Sequence, residues 1–306
     1  MSDGPTAPLT GVELESLTAA DVDDEELRAA LESDDAVVRQ RGAQVFSTLA
    51  ARDPEALVPF ADDILARLDD DSLAVARHAG TAMVTLSDDH PEAITHDLDP
   101  VIGFAEHDLG GIRMVGARVL GNVVVDHPAA VEPYVERLVT AVAESEGTFT
   151  QSDLQGHVEE AQKHAEDAVE HVAQANKEEA QKRVVARAAL ANVVVAVAEH
   201  DPESVAHLTD DVRPLLKDPD PNVVGAALDV FGALAEDDPG SVADSTDAVA
   251  DCLALDDEML QARAIRTLGF AGATDSVERL RDLADSADDE DVADLAAETA
   301  DFLEAA

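Results

Sequence analysis

The chain has 306 residues, of which 46% are apolar and 3% aromatic, with one cysteine and no tryptophan. Aspartate and glutamate number 67 against 20 lysines and arginines, which gives a formal net charge of −47. A single cysteine excludes an internal disulfide and a cysteine-based zinc site, and a core rich in small aliphatic residues favours helices over a β-sandwich or barrel.

The excess of acidic residues is typical of proteins that work in concentrated salt, and it resembles the composition found in salt-accumulating archaea. Such salt screens the self-repulsion of the chain, so acidity alone is a poor guide to a basic partner. The amino terminus lacks the basic and apolar stretches of a signal peptide. The longest apolar run, Val193–Ala198, is far shorter than the roughly 20 residues of a membrane span. We therefore predict a cytoplasmic protein with no membrane partner.

Two short segments precede any repeat. Residues 1–9 are predicted to be a disordered tail. Residues 10–33 are predicted to form an N-terminal helical cap, because Thr10–Glu13 has the pattern of a capping box and a short helix-forming stretch follows it.

A proline that follows a polar residue recurs along the rest of the chain at a spacing of 37 residues, doubled once between the third and fourth occurrences. Proline is tolerated at the first position of a helix, and a preceding aspartate can cap that helix. Each proline is therefore predicted to open the second helix of a helix pair. The dipeptides are Asp53-Pro54, His90-Pro91, His127-Pro128, Asp201-Pro202 and Asp238-Pro239.

Apolar residues at a spacing of three and four precede each proline, which predicts an amphipathic first helix in every pair. A second apolar series follows each proline, as in Leu57, Ala61, Ile64 and Leu68. The first-helix positions are Gly42, Ala43, Phe46 and Leu49; Ala79, Gly80, Met83 and Leu86; Gly116, Ala117, Leu120 and Val123; Leu190, Ala191, Val194 and Val197; Ala227, Leu228, Phe231 and Leu234; and Ala264, Ile265 and Leu268.

Helix pairs of this length with Asp-Pro turns, and with an arginine after an aliphatic pair at Arg39, Arg113 and Arg187, resemble the HEAT-repeat family. The resemblance implies an all-α, right-handed α-solenoid of about six helix pairs with a mid-chain helical insertion. It places repeats 1–3 over 34–142, the insertion over 143–179, repeats 4–6 over 180–289 and a C-terminal capping helix over 290–306.

The segment 143–179 fills one repeat length but departs from the apolar pattern of the repeats. A narrow apolar seam follows a capping signal at 152–155, and such a seam is typical of a helix with one partner helix. We predict partner docking or homodimerisation through 153–175, with packing back on the repeats as the alternative. Asn176–Glu179 has the pattern of another capping signal, which predicts a helix break near residue 176. The seam residues are Val158, Ala161, Ala165, Ala168 and Val172.

Three histidines, His157, His164 and His171, lie seven residues apart in the same segment. Seven residues span about 10.5 Å of helix, too far for two of these side chains to share a metal ion. They are candidate ligands only together with a second helix or chain, and a solvated helix face is the simpler interpretation. No metal and no cofactor are predicted.

An acidic residue stands eight positions after every turn proline, on the exposed side of the predicted second helix. The HEAT resemblance implies that second helices line the inner face of the solenoid. The acids are therefore a candidate surface for an arginine-bearing partner or for cations, with salt adaptation as the alternative. They are Asp62, Asp99, Glu136, Asp210 and Asp247.

The HEAT resemblance includes two branches that perform chemistry. None of the ten histidines precedes a glutamate, as an iron-dependent hydroxylase of this type requires, and no basic, aromatic-lined groove of the glycosylase type is present. We predict a non-enzymatic scaffold or adaptor for protein partners. The alternatives are a ribosome- or ribonucleoprotein-associated accessory factor and a bilin-lyase-like repeat protein that binds a small ligand. Direct binding of nucleic acid is not expected, because no basic stripe is present.

Overall fold

The computed structural model describes residues 9, 12–15, 17–144 and 166–305, and within them every regular element is a helix. The α-helices are α1 (Asp24–Leu31), α2 (Ala36–Ala50), α3 (Ala61–Leu65), α4 (Leu73–Asp89), α5 (Asp99–Ala105), α6 (Gly110–Asp126), α7 (Pro128–Val131), α8 (Val135–Glu144), α9 (Glu166–His200), α10 (Pro202–Ala206), α11 (Thr209–Val212), α12 (Pro221–Asp237), α13 (Thr246–Asp251), α14 (Glu258–Phe270), α15 (Val277–Ser286) and α16 (Glu290–Ala305).

Short 3-10 helices join many of these elements. They are Ala19–Asp21, Pro54–Phe60, Pro91–Ala93, Glu132–Tyr134, Arg213–Lys217, Pro239–Ser245, Cys252–Ala254 and Thr274–Ser276.

The predicted repeat is confirmed by burial. All the first-helix positions named above are buried, on α2, α4, α6, α9, α12 and α14. The second-helix series at Leu57, Ala61, Ile64 and Leu68 is buried as well. The chain is thus an all-helical repeat fold in which each helix pair buries one apolar stripe from each helix.

Two compact units make up the chain. The first holds the described residues up to Val131 together with α9 as far as Ala186, and the second holds Glu132–Glu144 and everything from Arg187 onward. Consecutive first helices pack side by side inside each unit. These pairs are α2 with α4 and α4 with α6 in the first unit, and α12 with α14 in the second, where α14 also packs on the C-terminal helix α16.

The second helix of each pair begins later than predicted. Each turn proline opens only a short 3-10 segment or a short α-turn, and the main second helix starts seven or eight residues further on. The predicted aspartate cap forms at Asp238, whose Oδ1 accepts from the Gly240 N–H at 2.9 Å, but Asp53 and Asp201 make no such bond. Proline thus fixes the turn but not the start of the main second helix behind it.

The N-terminal predictions were wrong in two places. No helix starts at Thr10–Glu13, because Val12 and Glu13 are not helical. The first α-helix begins at Asp24, where Asp23 Oδ1 accepts from the Glu26 N–H at 3.0 Å. Leu9, predicted to be disordered, is buried and donates its N–H to Glu26 Oε1; residues 1–8 lie outside the described residues.

The predicted helix break near residue 176 is also wrong. Helix α9 runs without interruption from Glu166 to His200. The Asn176–Glu179 sequence was interpreted as a capping signal, yet Glu179 accepts a hydrogen bond from the distant Gly111 N–H at 3.2 Å. The Glu179 side chain therefore makes a tertiary contact with Gly111 and does not cap a new helix at Asn176.

Candidate functional site

The five acids that follow the turn prolines are all exposed, as expected. Each is the first or second residue of its second helix: Asp62 of α3, Asp99 of α5, Glu136 of α8, Asp210 of α11 and Asp247 of α13. A carboxylate in the first turn of a helix is favoured by the unpaired N–H groups there. The common phase of the acids therefore has a structural cause in the start of each second helix.

Asp62 and Asp210 each lie close to a basic side chain of their own unit. His96 Nε2 lies 2.8 Å from Asp62 Oδ1, and Arg213 Nη2 lies 2.7 Å from Asp210 Oδ1, three residues along the chain. The acids of both pairs are largely exposed, and contacts of this kind contribute less than about 1 kcal/mol. A partner cation can therefore compete with them.

The predicted seam falls mainly outside the described residues. This is so for Val158, Ala161 and Ala165, and for His157 and His164. Ala168, His171 and Val172 are on helix α9, but their side chains are outside the description. Docking through 153–175 and the histidine stripe therefore stay predictions.

The described part of α9 packs on the start of α6 inside the first unit. A Cβ added to Gly110 would lie only 2.5 Å from the carbonyl oxygen of Glu179 and 2.8 Å from Cγ of Arg183. The N-cap position of α6 is Leu109, which has no side-chain acceptor, and the Glu179 carboxylate serves there through the Gly111 N–H. The small size of Gly110 and Gly111 thus allows α9 to approach closely enough for Glu179 to cap the start of α6.

A groove of about 600 Å³ lies in the second unit, between the first helices α12 and α14 and beside the end of α9. It was not predicted from the sequence. Its lining residues are Glu199, Pro202, Leu228, Asp229, Gly232, Ala233, Glu236, Asp237, Arg263, Arg266, Thr267 and Phe270.

Close helix packing forms the floor of this groove. A Cβ added to Gly232 would lie 3.3 Å from Thr267 Oγ1, and Thr267 is buried and donates its hydroxyl to the Leu228 carbonyl at 3.2 Å. Because α12 and α14 contact each other through Gly232 and Thr267, the larger side chains on either side of this contact form the walls of the groove.

The two walls differ in chemistry. Arg263 Nε lies 3.3 Å from Asp229 Oδ1, and the guanidinium crosses α12 at Gly225, where any Cβ would overlap it. Burial raises the pKa of the Asp229 carboxyl, against the opposing effect of Arg263 and Arg266. The α12 wall is acidic, whereas the α14 wall carries two arginines and the exposed ring of Phe270.

The HEAT resemblance predicted a contact surface on the second helices, whereas the groove lies between two first helices. The available signal was the placement of Arg263, Arg266 and Phe270 on one helical face, in a chain with very few basic and aromatic residues.

A second cavity, of about 360 Å³, lies in the first unit beside Asp69, Asp70 and Asp71. Asp70 is held there by Arg39, whose Nε donates to Oδ2 at 2.7 Å. Within the described ranges, no group of three His, Cys, Asp or Glu side chains is arranged to hold a metal ion. The lining of the cavity comes from consecutive helices, with Leu73 and Ala76 on α4 and Gly103 and Phe104 on α5.

Cys252 is buried, and its thiol approaches the Leu216 carbonyl at 3.7 Å. Burial raises its pKa to about 11. Cys252 is thus a small apolar residue of the core. None of the helices in the described parts of the chain is both long and apolar enough to cross a bilayer.

A family model described as HEAT repeats matches residues 209–300. The crystal structure of the archaeal HEAT-like repeats protein from Thermococcus onnurineus NA1 is similar at 14% identity, with a TM-score of 0.53 over 93% of this chain and 98% of that one. A chain from a structure on the interaction between cadherin and β-catenin gives 13% identity and a TM-score of 0.57, over 91% of this chain and 55% of that one. No curated protein shows significant similarity. These comparisons confirm the predicted HEAT-like helical repeat fold.

Proposed function

We propose that this chain is a non-enzymatic scaffold or adaptor that binds other proteins through the exposed surfaces of its helix pairs. The observation that carries the proposal is the open groove between α12 and α14, which combines acidic, basic and aromatic side chains above a rigid floor of packed helices. Mixed lining of this kind is typical of a surface for another protein, with aromatic and arginine side chains as anchors.

The comparisons support the same class of function. Repeat folds present extended surfaces on which partners bind, and one structure of similar fold concerns the interaction between cadherin and β-catenin. We extend the proposal to the exposed acids Asp62, Asp99, Glu136, Asp210 and Asp247 as a second contact surface, and to residues 153–175 as a docking or dimerisation segment. We also propose that the protein acts in the cytoplasm of a salt-accumulating cell.

Capture of a partner in multimolar KCl tests the proposal. Full-length tagged protein is purified from its native cells with and without nuclease, and co-purifying proteins are identified by mass spectrometry and then recombined as pure components. A protein that binds directly after nuclease treatment is the expected result. Loss of all co-purifying protein with nuclease would instead favour a ribonucleoprotein-associated factor, and failure of every pure component to bind would refute the scaffold.

A further inference from the structure

We propose that the groove between α12 and α14 receives an arginine or lysine side chain of a protein partner, and that the exposed rings of Phe270 and Phe302 contact apolar residues of the same partner segment. This proposal rests on the scaffold function and names the chemistry of the segment that the scaffold binds. It concerns the surface of the first helices, which is separate from the acids on the second helices.

The lining of the groove carries four carboxylates against two arginines. Asp229 is engaged by Arg263. Glu199, Glu236 and Asp237 are exposed at the groove and make no ion pair with any residue that the structure describes. Three carboxylates are therefore left against one further arginine, Arg266, in the lining, and a cation entering the groove gains attraction that an anion would not.

Phe270 offers a surface for the same cation. Its side chain is 45% exposed and borders the groove opposite the acidic wall. A guanidinium or ammonium group can lie over the face of an aromatic ring while pairing with a nearby carboxylate. The methylene stem of the incoming side chain would then lie along Gly232 and Ala233 on the groove floor.

A second exposed ring extends this surface to the next helix. Phe302, 61% exposed, holds the position on α16 that Phe270 holds on α14, since each is the thirteenth residue of its helix. The two helices meet as α12 and α14 do: a Cβ on Gly269 would lie 3.3 Å from Thr299 Cγ2, and one on Gly232 lies 3.3 Å from Thr267 Oγ1.

Phe270 and Phe302 thus hold equivalent positions on two helices that pack together, and the axes of packed helices are roughly 8–10 Å apart. Exposed aromatic residues on adjacent helices are typical anchors for a partner. In a chain with 3% aromatic residues, this pair marks the strip that runs from the groove to Phe302. The occupant is therefore a segment with a basic residue followed by apolar ones.

Defined peptides test the proposal directly. A panel of fluorescent 16-residue peptides carries one arginine at varied distance from two leucines, and a matched panel carries glutamate in place of arginine. Binding to the full-length protein is measured by anisotropy across a range of KCl concentrations. We expect arginine-dependent binding, weakened about tenfold by Glu236→Lys and by Phe270→Ala, with unchanged circular dichroism.

Asp88→Lys is the matched control. Asp88 is exposed on α4 and occupies the same helix position as Glu236, the sixteenth residue of each helix, in the other unit. Asp88→Lys changes the charge by the same amount as Glu236→Lys, and we expect it to weaken peptide binding by less than twofold. Equal weakening by Asp88→Lys and Glu236→Lys would show general attraction to an acidic chain and would overturn the proposal.

Preference for the glutamate peptides, or no arginine-dependent binding across the panel, would overturn it as well. If the partner captured as a pure protein binds equally to wild type, Phe270→Ala and Glu236→Lys, the groove proposal fails while the scaffold function stands. If no protein partner binds at all, the scaffold function itself has failed.

Discussion

The Arg187 guanidinium forms a paired contact with the buried carboxylate of Asp218, in which Nη1 donates to Oδ1 at 2.8 Å and Nη2 donates to Oδ2. Its Nε also donates to the Val142 carbonyl at 2.7 Å. A second bidentate contact occurs 148 residues earlier, where Arg39 uses Nε and Nη2 instead and donates to Asp70 at 2.7 and 2.9 Å. Two of the three arginines on which the HEAT resemblance was based, Arg39 and Arg187, thus tie a first helix to the loop before the next repeat.

Removal of one partner from this pair should strongly destabilise the second unit. Arg187→Met leaves the Asp218 carboxylate, 1% exposed, without its cation, and we expect a loss of about 3–5 kcal/mol in the free energy of unfolding. Denaturant unfolding in high salt measures the loss. Arg281→Met is the control, because its pairs with Asp301 and Glu304 are exposed and should contribute less than about 1 kcal/mol. Equal losses would contradict the assigned role.

The pH dependence of stability should have opposite signs at Asp70 and Asp229. Burial tends to raise the pKa of Asp70, but hydrogen bonds from Arg39 and Ser72 hold it below its ordinary value. Its contribution is present above the ordinary aspartate pKa and is lost as pH falls through the lower folded value. The difference in unfolding free energy between wild type and Asp70→Asn should therefore shrink in acid.

Asp229 should behave in the reverse way. Burial raises its folded pKa, so the folded state binds the proton more readily than the unfolded state, and this carboxyl favours folding more as pH falls through the raised value. Wild type should gain stability relative to Asp229→Asn between neutral pH and mild acid. Unfolding curves of wild type, Asp70→Asn and Asp229→Asn at matched pH and KCl give the two differences in unfolding free energy as a function of pH. Differences that change with pH in the same direction would refute the assignment.

Alanine at two glycines of α6 should have opposite effects. Gly110→Ala forces a Cβ against the Glu179 carbonyl and Arg183, which should cost about 1–3 kcal/mol of stability. Gly121→Ala, where nothing lies within 4 Å of the added Cβ, should stabilise the same helix by about 0.5–1 kcal/mol. Chemical unfolding compares the two. A neutral Gly110→Ala would show that α9 is not held against α6.

Glu179→Ala should loosen the start of α6. Loss of an N-cap acceptor costs about 0.5–2 kcal/mol, and the Gly111 amide should exchange its hydrogen faster. Glu178→Ala serves as control, since its side chain binds only Gln174 on its own helix among the described residues, at 2.9 Å. Unchanged Gly111 exchange in Glu179→Ala would contradict the capping role.

Cys252 should resist alkylation in the native protein. Its pKa of about 11 and its burial leave very little thiolate at pH 8. Iodoacetamide should therefore label the protein only after unfolding, as mass spectrometry can show. Fast labelling of the folded chain would mean that the α13 region opens readily.

The apolar periodicity predicted the first helices well, because burial of one stripe dominates the choice of structure at positions such as Phe46 and Phe231. It predicted the start of the second helices poorly. A proline and its polar neighbour give the same local signal for a turn as for a helix start, and only packing separates the two.

Contacts distant in sequence account for the remaining differences. The capping signal at Asn176–Glu179 failed because Glu179 binds Gly111, 68 residues away. The groove between α12 and α14 escaped prediction since it depends on the register of two helices in separate repeats. That register is fixed by Gly232 and Thr267, whose pairing no local pattern reveals.

The Gly–Thr contacts also bear on how the chain tolerates changes of length. Gly232 and Gly269 are 37 residues apart, yet their partners Thr267 and Thr299 are only 32 apart. The same helix-to-helix contact therefore survives a five-residue deletion in the intervening second helix and turns. Insertions and deletions in evolution should therefore collect in the second helices, while the first helices keep their length. A fixed period of 37 residues does not describe such shortened units.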